Sequence, residues 1–296
     1  MTMEPSTKPE ARPPTPFPDP QGLGGWAKCY ISSMLRARRN PSFADLESFC
    51  FFIGYARSGH TLVGSLLDAH PEAVIAHELD AVNCVRHHLT RGQLFALLLE
   101  RDLKFGSMGW TWSGYQYEVP GQYQGRYERI RVIGDKRGDH AAHEIARWPD
   151  VLDRIRRVVK VPIRVIHVTR NPFDNVATAS RKNGYRPSSI SNVTKAVDWY
   201  ERSCKSVAQV RAMLDPSELL DIRYESFITE PAASLAEVCR FVGLEPGPAY
   251  LEACAGVIWP SPSRTRDGVE WTDEERRGVE RIIDRYDVLS SYSFDD

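Results

Sequence analysis

Phe51-Phe52-Ile53-Gly54-Tyr55-Ala56-Arg57-Ser58-Gly59-His60-Thr61-Leu62-Val63-Gly64-Ser65-Leu66-Leu67-Asp68-Ala69-His70-Pro71 is the stretch that decides the fold. An apolar run of strand type ends at Gly54 and a small-residue turn follows. Leu62, Val63, Leu66 and Leu67 then recur at helical spacing until Pro71. The order is strand, anion-sized loop, helix. Gly54 and Gly59 let the backbone approach a ligand closely, and the free amides at the helix start, backed by its dipole, favour a negative group. Against the nucleotide pattern G-x-x-x-x-G-K-[ST], the loop matches at Gly54, Gly59 and Thr61 but has His60 in place of the lysine, while Arg57 adds a cation. The group that reaches the β and γ phosphates of a nucleoside triphosphate is thus missing, and the loop suits another anion. A plain strand-to-helix turn without a ligand is the alternative.

The rest of the chain narrows the classes. A formal net charge of −1 gives no global bias toward nucleic acid, so an anion site must come from local Arg and Lys. Six cysteines without C-x-x-C spacing read as reduced core residues rather than a zinc or disulfide framework. Residues 1–22 are proline-rich and polar and are expected to be a disordered arm, with 23–296 as a single domain. No run approaches a membrane span and the start lacks a secretory apolar core, so a cytoplasmic location is expected. Trp26 to Arg39 reads as a helix with Trp26, Cys29, Tyr30 and Met34 along one side, packed on its own domain, and Arg36, Arg38 and Arg39 complementing its dipole. A helix lying on a membrane surface is the alternative there.

Further along, Ala73–Ala76 is a short apolar run followed by His77 and Glu78, and Gln93 to Arg101 is helical. Residues 109–127 form an irregular aromatic segment, read either as the wall of an acceptor pocket or as a cover for the core. Ile130–Gly134 reads as a strand with Lys136 just past it, and Ile163–Thr169 is the clearest buried strand. Arg170 follows, then Asn171 as helix cap, Pro172 in the first turn and Asp174 at the positive dipole end. A strand-end arginine with hydroxyls and another cation on the next helix makes a second anion site. A strand from Leu219, a helix stopped by Gly243, and a capping box of Thr272 and Glu275 complete the pattern. The expected fold is α/β and P-loop-like, in three layers, with a parallel sheet of about five strands flanked by helices and the ligand at the strands' carboxyl ends.

Arg57-Ser58-Gly59-His60-Thr61-Leu62, continuing to Asp68-Ala69-His70-Pro71-Glu72 and Glu78, resembles the 5′-phosphosulfate loop of sulfotransferases. The wording is most similar to the tyrosylprotein sulfotransferases, and soluble bacterial sulfotransferases share it. His60 stands where the family usually carries threonine. Arg170, with Thr178 eight residues later, resembles the family's 3′-phosphate motif, Thr178 taking the serine's place, with Ser180 as fallback and Lys182 as a further basic residue. The resemblance implies 3′-phosphoadenosine-5′-phosphosulfate (PAPS) as co-substrate, adenosine 3′,5′-bisphosphate (PAP) as product, and no metal. It implies Glu78 as base, with Arg57 and Lys136 stabilising charge, and Arg57, Ser58, Gly59, His60 and Thr61 on the phosphosulfate. Arg170, Thr178 and Lys182 would hold the 3′-phosphate, with Tyr224 and Arg264 near the nucleotide. His77 and His140 are next in line as base, and a capping or salt-bridging role is the alternative for Glu78. The acceptor is expected to be a hydroxyl or amine of a small molecule, lipid or glycan. A kinase or ATPase, showing magnesium-dependent ATP turnover, and a non-catalytic nucleotide-binding protein are the rival readings.

Overall fold

Phe49, Cys50, Phe51, Phe52 and Ile53 follow one another without a polar break, a run that is stable only in a strand covered on both faces. In a computed structural model of the chain, which describes residues 22–112, 114–181, 192–259 and 261–296, this run lies in β1 (Ser48–Gly54), buried throughout. The expected arm lies outside the described residues up to position 21, as does Lys182.

Strand β1 is the middle of a five-stranded parallel sheet with β2 (Ala73–His77), β5 (Val132–Lys136), β6 (Ile163–Thr169) and β7 (Leu219–Arg223), in the order β2-β5-β1-β6-β7. The helices are α1 (Gly22–Ala37), α2 (His60–Asp68), α3 (Ala81–Arg86), α4 (Arg91–Ser107), α5 (Gly138–Arg147), α6 (Asp150–Val159), α7 (Pro172–Ser180), α8 (Val193–Arg211), α9 (Tyr224–Thr229), α10 (Pro231–Val242), α11 (Pro248–Gly256) and α12 (Asp273–Arg285). A two-residue pair, β3 (Thr111–Trp112) and β4 (Tyr115–Gln116), interrupts the aromatic segment.

Because side chains alternate along a strand, β1 feeds two cores. Phe49, Phe51 and Ile53 face one cluster with Val85, Leu97, Ile145, Tyr200 and Val279, and Cys50 and Phe52 face the other with Leu66, Leu67, Val238 and Cys254. Each such buried side chain contributes about 1.5–3 kcal/mol. All six cysteines are free and five are buried, as the spacing suggested.

Two elements depart from the sequence reading. Strand β5 starts and ends two residues later than expected, so Lys136 is its last residue, paired in register with His77 of β2. Arg131 is drawn out of the strand because its guanidinium binds Glu47 and Glu72. Helix α1 is rotated from the expected face. It packs through Trp26, Cys29 and the fully buried Ser33, while Tyr30 and Met34 are 41% and 40% exposed. The cause is α4, where Gln93 Nε2 donates to Ser33 Oγ and to the Tyr30 carbonyl, so the small side chain is the one that must face inward.

Beside the edge strand β2, the carboxyls of Asp68 at the end of α2 and Asp102 on α4 are both buried and interact, with Asp68 Oδ2 and Asp102 Oδ1 otherwise unpartnered, and Asp68 Oδ1 accepts from the Ile75 amide at 2.7 Å. Burial pushes both pKa values up, Asp102 to about 7. Folded-state values above the unfolded ones mean that the bound protons stabilise the fold fully below about pH 4 and that this contribution is lost as pH rises through about 7. Asp102→Asn, which keeps the shape and cannot ionise, should melt progressively higher than the parent between about pH 5 and pH 8. A melting-temperature difference that stays constant over that range would rule out a shared proton.

Candidate active site

The carboxyl ends of all five strands converge. Strand β1 opens into Tyr55–Gly59; β2 is followed at once by Glu78; β5 ends on Lys136; β6 is followed by Arg170; and β7 is followed by Tyr224. From β1 the chain passes to β2 and β5 on one side of the sheet and then crosses to β6 and β7 on the other, so the loop after β1 sits at the switch point where a crevice opens.

The loop is held from behind. Ser58 is fully buried, its Oγ accepting from Asn175 Nδ2 at 3.0 Å, and the same amide donates to the Ala56 carbonyl at 2.7 Å. Arg57 has φ 70°, a strained value for an L-residue, and its exposed side chain has no ion pair among the described residues. Helix α2 starts at His60 after Gly59 in the left-handed region, with no side chain capping its first amides. An uncapped, glycine-led helix start is a site for an anion. Gly59 is required sterically as well, since a Cβ there would lie 2.3 Å from the Tyr224 ring.

His60 contributes only its backbone. The imidazole turns back into the core, where Nε2–H donates to the Ile53 carbonyl at 3.0 Å, and burial pulls its pKa down to about 4. Gly54 makes room for the ring, because a Cβ there would lie 2.6 Å from His60 Nε2. The histidine is thus an anchor under the loop, not an anion ligand. Thr61 stands half-buried at the second position of the helix.

Glu78 also has a left-handed backbone, φ 55°. Asp135 fixes it there by accepting the Leu79 and Ala81 amides at 2.9 and 2.8 Å, which pins the chain just beyond β2. Lys136 Nζ donates to Glu78 Oε1 at 3.0 Å, with the lysine 4% and the glutamate 28% exposed. Burial lowers the Lys136 pKa, and the Glu78 charge works against that shift. Among the described residues Glu78 Oε2 has no hydrogen bond, so one carboxylate oxygen remains to act on a ligand. The salt-bridging alternative is therefore realised on one oxygen only.

The two histidines beside it are committed elsewhere. His77 is stacked on Phe105 at 4.0 Å and edge-on to Trp112 at 4.4 Å, and burial holds its pKa well below the usual value. His140 hydrogen-bonds Asp80 at 3.0 Å, which raises its pKa. The aromatic segment takes the covering role that was one of its two readings. Trp110 and Trp112 are buried on Phe105, and Tyr117 packs against that cluster, burial raising the pKa of its hydroxyl.

On the other side of the loop, Arg170 donates to the Arg57 carbonyl at 3.2 Å and to the Ser263 carbonyl, its guanidinium lies 5.4 Å from the Tyr224 ring centre, and its Nε is buried without a partner. An orphaned N–H on a buried cation fits an anionic oxygen. Thr178 Oγ1 is 3.0 Å from Thr265 Oγ1, whereas Ser180 donates back to its own helix at Ala177. Arg264 is exposed and bound to Asp267 at 3.0 Å and to the 295–296 backbone. The buried arginine of that segment is Arg266, which binds Asp174 at 2.7 Å and so clamps residues 263–266 onto α7. Asn175, Asp135, and the Asp174–Arg266 pair escaped the sequence reading. Asn175 alone left a trace, a poor helix former in a helix interior.

Cations and a single carboxylate around an uncapped helix start define an α/β protein built to hold an anionic donor for group transfer. The profile of the sulfotransferase family matches residues 50–247, two thirds of the chain. The chain belongs to that family, an enzyme of the PAPS-dependent sulfotransferase class. Solved structures agree on the fold. The sulfotransferase domain of a Synechococcus olefin synthase is 16% identical, with 82% of this chain and 95% of that one covered at a TM-score of 0.53. A sulfotransferase from Mycobacterium avium is 12% identical, with 89% and 82% covered at 0.50. Among curated proteins no sequence matches.

Proposed function

We propose that the protein transfers the sulfuryl group of PAPS to a hydroxyl or amine of a small-molecule, lipid or glycan acceptor and releases PAP. The observation that carries this reading is the convergence of Arg57, Glu78, Lys136, Arg170 and Tyr224 at five adjacent strand ends. The acceptor heteroatom forms a bond to sulfur while the bond from sulfur to the bridging phosphate oxygen breaks, and PAP leaves with that electron pair. Glu78 Oε2 takes the acceptor proton. Once Glu78 is neutralised, Lys136 is free to follow the charge onto the departing oxygen, with Arg57 and the α2 amides of Gly59, His60 and Thr61 beside it, and Ser58 completing the loop. Arg170 and Thr178 hold the 3′-phosphate, joined by Lys182 on the strength of the family motif, and Tyr224 lies along the nucleotide. Arg264 would reach it only by releasing Asp267. Six unpaired cysteines support a reducing compartment such as the cytoplasm.

Calorimetric titration tests the reading. PAP should bind in the absence of metal, and ATP with magnesium should bind far more weakly; the reverse preference would point to an altered kinase loop. Gly59→Ala should weaken PAP binding about tenfold, since the new Cβ meets the Tyr224 ring at a φ of 97° that strains alanine. Unchanged affinity in that variant would move the donor away from this loop.

A further inference from the structure

We infer that α1 docks the protein on an anionic bilayer surface. At 100° per residue, Trp26, Cys29, Ser33 and Ala37 lie on one stripe of this helix, and that stripe is the buried one, with Trp26 stacked on His87 at 3.7 Å. The larger apolar side chains point the other way. Ile31 is 57% and Leu35 54% exposed, and with Tyr30 and Met34 they supply four of the ten large apolar residues exposed among the described residues. A helix that packs by its small face and shows its large apolar face to water has a surface for something else.

Charge identifies the occupant. Residues 22–41 contain Lys28, Arg36, Arg38 and Arg39 and no acidic residue. Arg36 is neutralised by Glu100 at 2.8 Å, but Lys28, Arg38 and Arg39 are exposed with no ion pair among the described residues. Lys28 lies beside the apolar stripe, and Arg38 and Arg39 follow in the turn just past the helix end at Ala37; all three are exposed, as Ile31 and Leu35 are. A second copy placed face to face would set these cations against their own counterparts, with no acidic group on the helix to meet them. Residues 1–21 have only Met1, Met3 and Phe17 as large apolar side chains, too few to cover the stripe. An anionic lipid surface meets both demands, taking Ile31 and Leu35 into the acyl boundary while the cations rest among headgroups. The helix lies flat in this arrangement; among the described residues no helix is long and apolar enough to cross a membrane.

The test is co-sedimentation of the full chain with phosphatidylcholine vesicles, with and without phosphatidylglycerol, at low and high salt. The protein should sediment with the anionic vesicles only and be released by salt. Arg38→Gln with Arg39→Gln should weaken partitioning about 30-fold, and Ile31→Asp with Leu35→Asp should reduce it to the level seen with neutral vesicles, melting curves being unchanged because all four side chains are exposed. Failure of the parent to sediment, binding that ignores both double variants, or a dimer in light scattering that Ile31→Asp with Leu35→Asp dissociates would each overturn the inference.

Discussion

Glu78→Gln should lower sulfuryl transfer by about 10²–10⁴-fold while leaving PAP affinity nearly unchanged, because the amide keeps the carboxylate's shape but cannot accept the acceptor's proton. Glutamine is chosen over alanine because Lys136 is buried and Glu78 is its ion-pair partner. Alanine would also remove the oxygen that accepts from Lys136 Nζ, which the glutamine carbonyl keeps, and would confuse a folding defect with a catalytic one. Steady-state rates combined with PAP titration separate the outcomes. Full activity in Glu78→Gln would assign the base elsewhere, although His77 is sealed between Phe105 and Trp112 and His140 is tied to Asp80. Loss of PAP binding together with activity would make Glu78 a structural support of the loop.

Arg170→Ala should weaken PAP by about 30-fold or more, the usual consequence of removing one partner of a buried, charge-assisted contact. The same side chain also ties the Arg57 carbonyl to residue 263, so alanine disturbs the loop as well as removing a charge. Arg170→Lys distinguishes the two effects. It keeps the charge and loses the planar fork, and should recover part of the affinity if the 3′-phosphate sits there. Wild-type affinity in Arg170→Ala would place the second anion site away from β6. A defect in both variants that vanishes for a ligand lacking the 3′-phosphate would support the assignment directly.

Most of the architecture was legible because its signals are local. The β1–loop–α2 stretch carries its own apolar run, its glycines and its helical period, and Asn171, Pro172 and Asp174 write the start of α7. The same holds for the Thr272–Glu275 box that opens α12. An equivalent box at Thr90 and Gln93 opens α4. There the sequence reading began the helix two residues late, since Arg91 and Gly92 interrupt the apolar pattern before it starts.

What resisted reading depended on partners far along the chain. The end of β5 was misplaced because Arg131 answers to Glu47, 84 residues away, and to Glu72. His60 looked like a ligand because nothing local reports that Ile53 and Gly54 leave a slot for its ring. Arg266 was passed over for Arg264 because only the fold brings Asp174 beneath it. The exposed face of α1 was read inward because apolar side chains normally seek the core, and the preference of Gln93 for Ser33 reverses that.

The sequence by itself determined the class of fold, the order of its strands along the chain and the two segments proposed to bind anions, since strand, loop and helix propensities act over a few residues. Tertiary structure alone decided which polar groups meet. The pairing of Lys136 with Glu78, the grip of Asn175 on Ser58, and the Arg266 clamp on α7 each join residues 58 to 117 positions apart. Their energies are short-ranged, falling off within a few ångströms, so they exist only after the sheet has brought those positions together.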